Sequence, residues 1–151
     1  MEAQILSILA DLQRDFGTAL MLITHNLGIV AEACDRVAVM YAGQIVEEGD
    51  ARDVFSDPAH PYTRELLRST ISLDTTELHS IPGAPPNLIA PPTGCRFHPR
   101  CPDAMRVCAA RFPPQEELEG RRRVFCWLHT PDDGVDRTPL EREELAVAEE
   151  A

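Results

Sequence analysis

The feature that most restricts the fold of this chain is a proline-rich stretch in its middle. Seven prolines lie between residues 82 and 102. Proline has no backbone N–H group and a fixed φ of about −65°, so it disfavours helix interiors and central strands. We therefore predict an extended, turn-rich path there. Such a path buries little apolar surface of its own, so other groups must hold it in place, and the nearby cysteines are the obvious candidates.

Four of the five cysteines follow the spacing C-x5-C-x6-C-x17-C, and we call them the cysteine cluster: Cys95, Cys101, Cys108 and Cys126. A reducing cytosol makes disulfides poor candidates, whereas a closed metal site would explain how the stretch becomes ordered. Spacing alone leaves three alternatives open. They are an iron–sulfur cluster, a zinc ion with His98 or His129 replacing one thiol, and four reduced thiols without metal.

Composition excludes several classes of function. The net charge of −11 argues against nucleic acid as the main partner, because phosphate binding needs a concentrated basic surface. All 14 basic residues are arginine, so a phosphate-binding loop of the G-x-x-x-x-G-K-[ST] type cannot lie within these residues. No apolar run approaches the roughly 18 residues of a membrane span, and the first residues lack the pattern of a secretory signal. We therefore expect a cytosolic chain.

Apolar spacing and turn residues predict a series of short elements. The first three are a helix over residues 3–16, a strand over 19–23 that is covered on both faces as parallel strands are, and a short helix from Leu27. The next three are an antiparallel hairpin of strands 37–41 and 44–48, a helix over 51–57 capped by Asp50, and a helix from Pro61 to residue 70.

The predicted strand over residues 19–23 ends in Thr24-His25-Asn26. In open α/β sheets, ligands bind beyond the carboxyl ends of the strands. An imidazole at that place can donate to a phosphate oxygen or orient an attacking water. His25 is therefore a candidate catalytic residue, although a single histidine at a strand end is more often structural.

Residues 2–72 resemble the carboxyl-terminal part of ABC transporter ATP-binding subunits. Within them, "LITHNLGIVAEACDRVAVMYAGQIVEEG" is similar to the segment that carries the switch histidine of that family. The resemblance implies an α/β fold, the carboxyl-terminal part of a RecA-like nucleotide-binding domain. It also implies that His25 contacts the γ-phosphate of an ATP–Mg complex bound chiefly by other residues. Asn26 stands where the family usually has aspartate, which removes a charge from the turn.

Two later stretches, "IPGAPPNLIAPPTGCRFHPRCPDAMRVC" and "VFCWLH", resemble the carboxyl-terminal region of the oligopeptide and dipeptide branch of those subunits. Four such cysteines are associated with a [4Fe-4S] cluster in some members, so the resemblance implies that the cysteine cluster binds one, with zinc as the alternative. The motif "HPYT" at residues 60–63 recurs in the same branch, and we expect it only to start a helix.

Three regions follow from these observations. Residues 1–72 are expected to form the carboxyl-terminal part of the ABC ATPase domain, residues 73–130 a small irregular Cys-rich and Pro-rich module, and residues 131–151 an acidic tail. The tail lacks aromatic residues, which predicts disorder, or a frayed helix over residues 140–148.

The resulting hypothesis is the carboxyl-terminal portion of the energy-coupling subunit of an importer for di- or oligopeptides, or for a related solute such as nickel. Its expected partners are membrane permease subunits, a second ABC ATPase subunit and the upstream portion of its own domain, on the inner face of the cell membrane. Alone it is not expected to hydrolyse ATP, and residues 3–16 and 19–23 should expose apolar faces. The alternative is a stand-alone iron–sulfur or zinc-binding regulatory module.

Overall fold

A computed structural model describes residues 2–69, 80–132 and 134–141. Within them lie five helices and four strands, with single 3-10 turns at His98–Arg100 and Glu119–Arg121. The helices are α1 (Glu2–Phe16), α2 (Leu27–Ala33), α3 (Ala51–Ser56), α4 (Pro61–Arg68) and α5 (Arg106–Ala110). The strands are β1 (Arg36–Tyr41), β2 (Gln44–Asp50), β3 (Glu116–Leu118) and β4 (Arg122–Val124), in the antiparallel sheet order β1-β2-β4-β3.

The predicted hairpin is present. Ala42 and Gly43 form its two-residue turn with φ values of 47° and 79°. Two positive φ angles in succession belong to the turn type whose twist matches that of the flanking strands, and glycine adopts them with little strain. The pairing runs from Tyr41 opposite Gln44 to Arg36 opposite Asp50, with an irregularity after Val39.

The sheet joins parts of the chain that are far apart in sequence. Glu47 of β2 lies opposite Val124 of β4, and Glu48 lies opposite Arg123, with which it forms an ion pair. The expected division between the first two regions falls within residues 70–79, outside the described residues. On either side of that gap, the two parts of the chain share one sheet.

Aromatic packing holds the proline-rich stretch against the hairpin. The Phe97 ring lies 5.1 Å from the ring of Tyr41 and 5.3 Å from that of Tyr62, measured between centroids, and Phe97 is fully buried. Burial of such a side chain contributes about 1.5–3 kcal/mol. Arg100 adds hydrogen bonds from its Nε to Pro82 O at 2.8 Å and from its Nη2 to Ile81 O at 2.9 Å. As predicted, the described stretch contains no regular helix or strand beyond one 3-10 turn.

The predicted strand over residues 19–23 is wrong. These residues form no strand, and Met21 and Ile23 are 86% and 91% exposed. A strand needs a neighbour for its backbone hydrogen bonds, and none of the described strands pairs with this segment. The described part of the chain is therefore α/β with an antiparallel sheet, and the covered parallel strand is not part of it.

The amino-terminal helix has the predicted extent and an exposed apolar face. Ile5, Ile8 and Phe16 are 54%, 60% and 72% exposed. An apolar stripe at helical spacing normally faces a core, so this face is suited to packing against other polypeptide. No helix among the described residues is long and apolar enough to cross a bilayer.

Residues 134–140 do not show the disorder predicted from residue 131 onward. Arg106 N donates to Thr138 O and Val107 N donates to Asp136 O, both at 2.9 Å. Leu140 packs against the buried cluster that contains Tyr41 and Phe97. Local acidity suggested a solvated tail, but contacts with α5 order this segment. Most of the predicted helix over 140–148 lies outside the described residues.

Candidate metal centre

All four members of the cysteine cluster line one small cavity between the proline-rich stretch, α5, the start of α4 and the residues that follow β4. Its volume is about 10 Å³, room for roughly one water molecule. Two histidines, His60 and His98, and the indole of Trp127 also line it. The five cysteines of the chain are unpaired. The cavity thus brings together four cysteines that lie up to 31 positions apart in sequence.

A glycine permits this convergence. Gly94 has a φ of +66°, and a Cβ there would collide with the carbonyl of Cys108. The close approach lets Cys95 N donate to Cys108 O at 2.8 Å, which fixes two cysteines of the cluster against each other. Any larger residue at position 94 would force these backbone segments apart.

Burial makes the thiols reluctant to ionise. It raises the pKa of Cys95 to about 11 and that of Cys126 to about 12, and it also raises the pKa values of Cys101 and Cys108. Neighbouring thiols add to the effect, because a charge on Cys108 disfavours a charge on Cys95. The thiols are neutral near pH 7 unless a cation compensates the charge of the thiolates.

Backbone donors act in the opposite direction. Hydrogen bonds from N–H groups shortly after three cysteines lower the pKa values of their thiols: from Phe97 and His98 to Cys95, from Asp103 to Cys101, and from Leu128 to Cys126. Such donors are most effective toward a charged sulfur. The backbone is thus arranged to favour thiolates once a positive charge enters the cavity.

The structure separates the two histidines that the sequence offered as zinc ligands. His98 lines the cavity, is 3% exposed, and donates from Nδ1 to Cys95 O at 2.8 Å, which leaves Nε2 unprotonated in the neutral ring. Burial lowers its pKa and so favours that neutral ring. His129 instead donates from Nε2 to Ala59 O at 3.0 Å and does not line the cavity. His98 is therefore the histidine able to replace a thiol.

His60 is a cavity residue that the sequence did not single out. It caps α4, accepting from Tyr62 N at Nδ1 over 3.0 Å, and is 1% exposed. Burial and the charge of Arg64 lower its pKa to about 3, so the ring is neutral. The fully buried carboxylate of Glu47 holds the preceding backbone, accepting from Ala59 N at 2.8 Å and His60 N at 2.9 Å. The sequence signal that could have identified His60 is its position immediately before the proline that starts α4.

Among the described residues, no three His, Cys, Asp or Glu side chains form a ready-made metal site. Metal binding therefore requires the cysteine side chains to reorient around the bound group. The donor types suit zinc or an iron–sulfur cluster, because they are four soft sulfur ligands with one nitrogen in reserve. A cavity with room for about one water molecule must widen before it can hold an iron–sulfur cluster. The fit depends on the sulfur donors and their backbone partners.

His25 lies apart from this cavity, in the loop between α1 and α2, and is exposed. The loop is shaped by Asn26, whose Oδ1 accepts from Gly28 N at 3.1 Å and Ile29 N at 3.4 Å as the N-cap of α2. Asparagine is among the best N-cap residues, so the loss of the charge of aspartate leaves the turn intact. His25 is thus presented to solvent on an ordered turn.

Comparison with known proteins finds similarity to peptide transport ATP-binding proteins. A family described as "Oligopeptide/dipeptide transporter, C-terminal region" matches residues 46–108. The chain is 50% identical over 128 residues to the oligopeptide transport ATP-binding protein OppD of Salmonella typhimurium, which covers 83% of this chain and 38% of that protein. It is 47% identical over 129 residues to the dipeptide transport ATP-binding protein DppD of Bacillus subtilis, with coverages of 84% and 38%.

These similarities define the class of protein: the chain corresponds to the carboxyl-terminal part of an ABC transporter ATP-binding subunit. It spans about two fifths of the length of the relatives it matches. Within the class, its matches are to the ATP-binding proteins of oligopeptide and dipeptide transporters.

Proposed function

We propose that this chain forms the carboxyl-terminal portion of the energy-coupling subunit of an ABC importer for oligopeptides, dipeptides or a related solute. The observation that supports this most directly is 50% identity to an oligopeptide transport ATP-binding protein across 83% of the chain. In the proposed assembly the subunit lies at the inner face of the cell membrane. It contacts permease subunits there and pairs with a second ATP-binding subunit.

In this proposal His25 contacts the γ-phosphate of ATP. Its exposed imidazole lies on a turn ordered by Asn26, so it can donate to a phosphate oxygen or orient the attacking water without rearrangement of the loop. Phosphoryl transfer also needs a phosphate-binding loop and a magnesium ion. Without a lysine, these 151 residues do not contain such a loop of the Walker type.

The apolar face of α1 supports a proposed contact with other parts of the nucleotide site. Ile5, Ile8, Leu12 and Phe16 are 45–72% exposed on this face. We propose that it packs against the portion of the domain that carries the phosphate loop. That contact would bring the turn of His25 next to the nucleotide.

ATP hydrolysis tests this role. The purified chain should show no turnover, and co-expression with the remaining amino-terminal portion of Escherichia coli OppD, to which it is 49% identical, should restore it. His25→Ala should then lower kcat by about 100-fold or more, as expected for a lost proton-transferring or orienting group. Arg14→Ala is the control, because Arg14 makes only an exposed ion pair with Asp11 on α1. Turnover by the chain alone, or normal turnover of the His25 variant, would contradict the proposal.

The four cysteines of the cysteine cluster are proposed to bind a [4Fe-4S] cofactor, with zinc as the alternative. Three buried cysteines and one partly buried cysteine on one cavity, backbone hydrogen bonds toward their thiols and a reserve nitrogen on His98 support this assignment. A bound cluster would supply a one-electron redox centre and a cross-link between the proline-rich stretch and β4. In this proposal the buried side chains of His60, His98 and Trp127 exclude water from the centre.

The iron, sulfide and zinc content of the purified protein distinguishes a [4Fe-4S] cluster from a zinc ion. Anaerobic purification should give a brown protein with about four iron and four sulfide per chain. Cys101→Ser should abolish the colour, whereas Cys34→Ser should retain it, because Cys34 lies outside the cavity. A colourless protein with one zinc would identify the alternative metal, and a metal-free chain would refute the site altogether.

The shared core supports a second candidate function. The hairpin, α3, Phe97 and Cys101 belong to one buried cluster that does not include α1. Such a unit could act as a separate iron–sulfur or zinc-binding regulatory module. The DNA upstream of the first codon distinguishes the candidates: a frame that encodes the phosphate loop supports the transporter subunit, and unrelated sequence supports the module.

A further inference from the structure

His60 carries an unsatisfied donor at the wall of the cysteine cavity. Its Nε2 is buried and has no hydrogen-bond partner, and no other described residue of the cavity has a side-chain nitrogen or oxygen in that state. A buried polar group without a hydrogen-bond partner destabilises the folded chain. An unpaired donor at a candidate metal centre suggests that its hydrogen-bond acceptor is supplied when the metal binds.

The hydrogen bonds of the ring identify Nε2 as a donor. Nδ1 accepts the backbone N–H of Tyr62 at 3.0 Å, so it carries no proton. In a neutral imidazole the proton then lies on Nε2. His60 is therefore not poised to ligate a metal through Nε2, in contrast to His98.

The placement of the ring is rigid. Both oxygens of the buried Glu47 carboxylate accept from the backbone N–H groups of Ala59 and His60, and the ring of His129 donates to Ala59 O. The cap on α4 fixes the imidazole itself. Two side chains from β2 and the segment after β4 thus hold one residue at the cavity wall.

The cavity offers few acceptors other than sulfur. His98 Nδ1 and Trp127 Nε1 are themselves donors, to Cys95 O and Arg111 O. The carboxylate of Asp103 forms an ion pair with Arg64 at 2.9 Å. Apart from the unprotonated Nε2 of His98, the acceptors that the cavity side chains offer are the four cysteine sulfurs and any sulfide bound among them.

We propose that His60 donates a hydrogen bond from Nε2 to a sulfur of the metal-bound group, either a cysteine thiolate or a bridging sulfide. The inference rests on the proposed metal site. A donor at sulfur stabilises negative charge there, and the reduced form of a cluster is the more negative form. His60 therefore raises the reduction potential of the bound cluster and acts as a site residue beyond the four cysteines.

Two substitutions separate this role from the helix cap. His60→Asn keeps a good N-cap, since its Oδ1 can take the place of Nδ1, but it removes the donor. His60→Gln places an amide nitrogen near the position of Nε2 and gives up the favourable cap. The two variants should therefore affect stability and potential in opposite ways.

The test uses the full chain, purified anaerobically, with potentiometric titration followed by EPR and absorbance. His60→Asn should lower the midpoint potential by an amount equal to about a tenfold change in the ratio of oxidised to reduced cluster, or about 59 mV. His60→Gln should stay near the parent value while unfolding at lower denaturant concentration. If the chain purifies with zinc, cobalt exchange gives the readout, and His60→Asn should move the sulfur-to-cobalt band to lower energy.

Each result is decisive. Unchanged potential and unchanged cobalt band in His60→Asn would overturn the hydrogen bond while leaving the metal site in place. A larger shift in His60→Gln than in His60→Asn would assign the effect to the helix cap and overturn the inference as well. A parent chain that binds neither iron nor zinc would refute the proposed site first, which distinguishes the two failures.

Discussion

The amino-terminal part of this chain, residues 2–33, and the part from residue 36 onward use similar apolar residues with opposite results. Phe16 and Ile23 are 72% and 91% exposed, whereas Phe97 and Val124 are fully buried. The later part finds its own partners, because β4 returns to β2 and Phe97 to the hairpin. The earlier part has helical periodicity but little burial. Periodicity therefore specifies which face is apolar, while burial depends on what the rest of the polypeptide supplies.

The largest effect should separate two phenylalanines. Phe97→Ala should destabilise the chain by about 3–5 kcal/mol, because it removes a fully buried ring, whereas Phe16→Ala should change stability by less than about 0.5 kcal/mol. Denaturant unfolding followed by the fluorescence of Trp127, the single tryptophan, measures both. Equal effects would mean that α1 is packed as firmly as the later core, and the contrast between the regions would fail.

Two glycines give the next comparison. Gly94→Ala should cost about 3 kcal/mol, since it adds a collision with the Cys108 carbonyl to the strain of a positive φ. Gly17→Ala has a similar φ of +62° but nothing within 4 Å of the new Cβ, so only about 1 kcal/mol is expected. The same unfolding measurement applies, with loss of bound metal as a second readout for Gly94→Ala. A small effect at Gly94 would show that the two backbone segments can separate without cost.

Two neighbouring glutamates give the finest comparison, within the later part alone. Glu47→Gln should destabilise by about 2 kcal/mol, because the amide cannot accept from both Ala59 N and His60 N. Glu48→Gln affects a partly exposed ion pair with Arg36 and Arg123 and should cost less than about 1 kcal/mol. Only the loss of stability caused by Glu48→Gln should become smaller as salt is added. A salt-sensitive effect at Glu47 would contradict its role as a buried backbone acceptor.

Local signals predicted the elements that local physics determines. The Ala42-Gly43 turn and the proline that starts α4 each fix a few dihedral angles, so the hairpin and the helix were predictable from a handful of residues. The strand over 19–23 was not, because a strand also needs a neighbour, and the apolar run contains no information about whether one is present. Acidic composition likewise predicted disorder for residues 134–140, because composition does not report the backbone hydrogen bonds that these residues make with α5.

The candidate site shows the same limit. The type and spacing of the four cysteines predicted a metal site, but spacing could not choose between His98 and His129, which depends on how the chain turns after Cys126. The contact of Glu47 with residues 59 and 60 joins a strand to a loop 12 and 13 positions away, so no motif announces it. The sequence predicts only a helix start at His60, because its place at the cavity wall appears only when the cavity is assembled.

The pairing of β2 with β4 also affects how this chain emerges from the ribosome. Glu48 and its partner Arg123 are 75 residues apart in sequence. During synthesis at about 5–20 residues per second, β2 therefore waits for several seconds with one edge open before β4 is available. An unpaired strand edge is a template for pairing with the wrong chain. Slow translation or truncation before residue 124 would prolong the time during which this edge is unpaired. Synthesis of β4 ends that time, because β4 pairs with the open edge of β2.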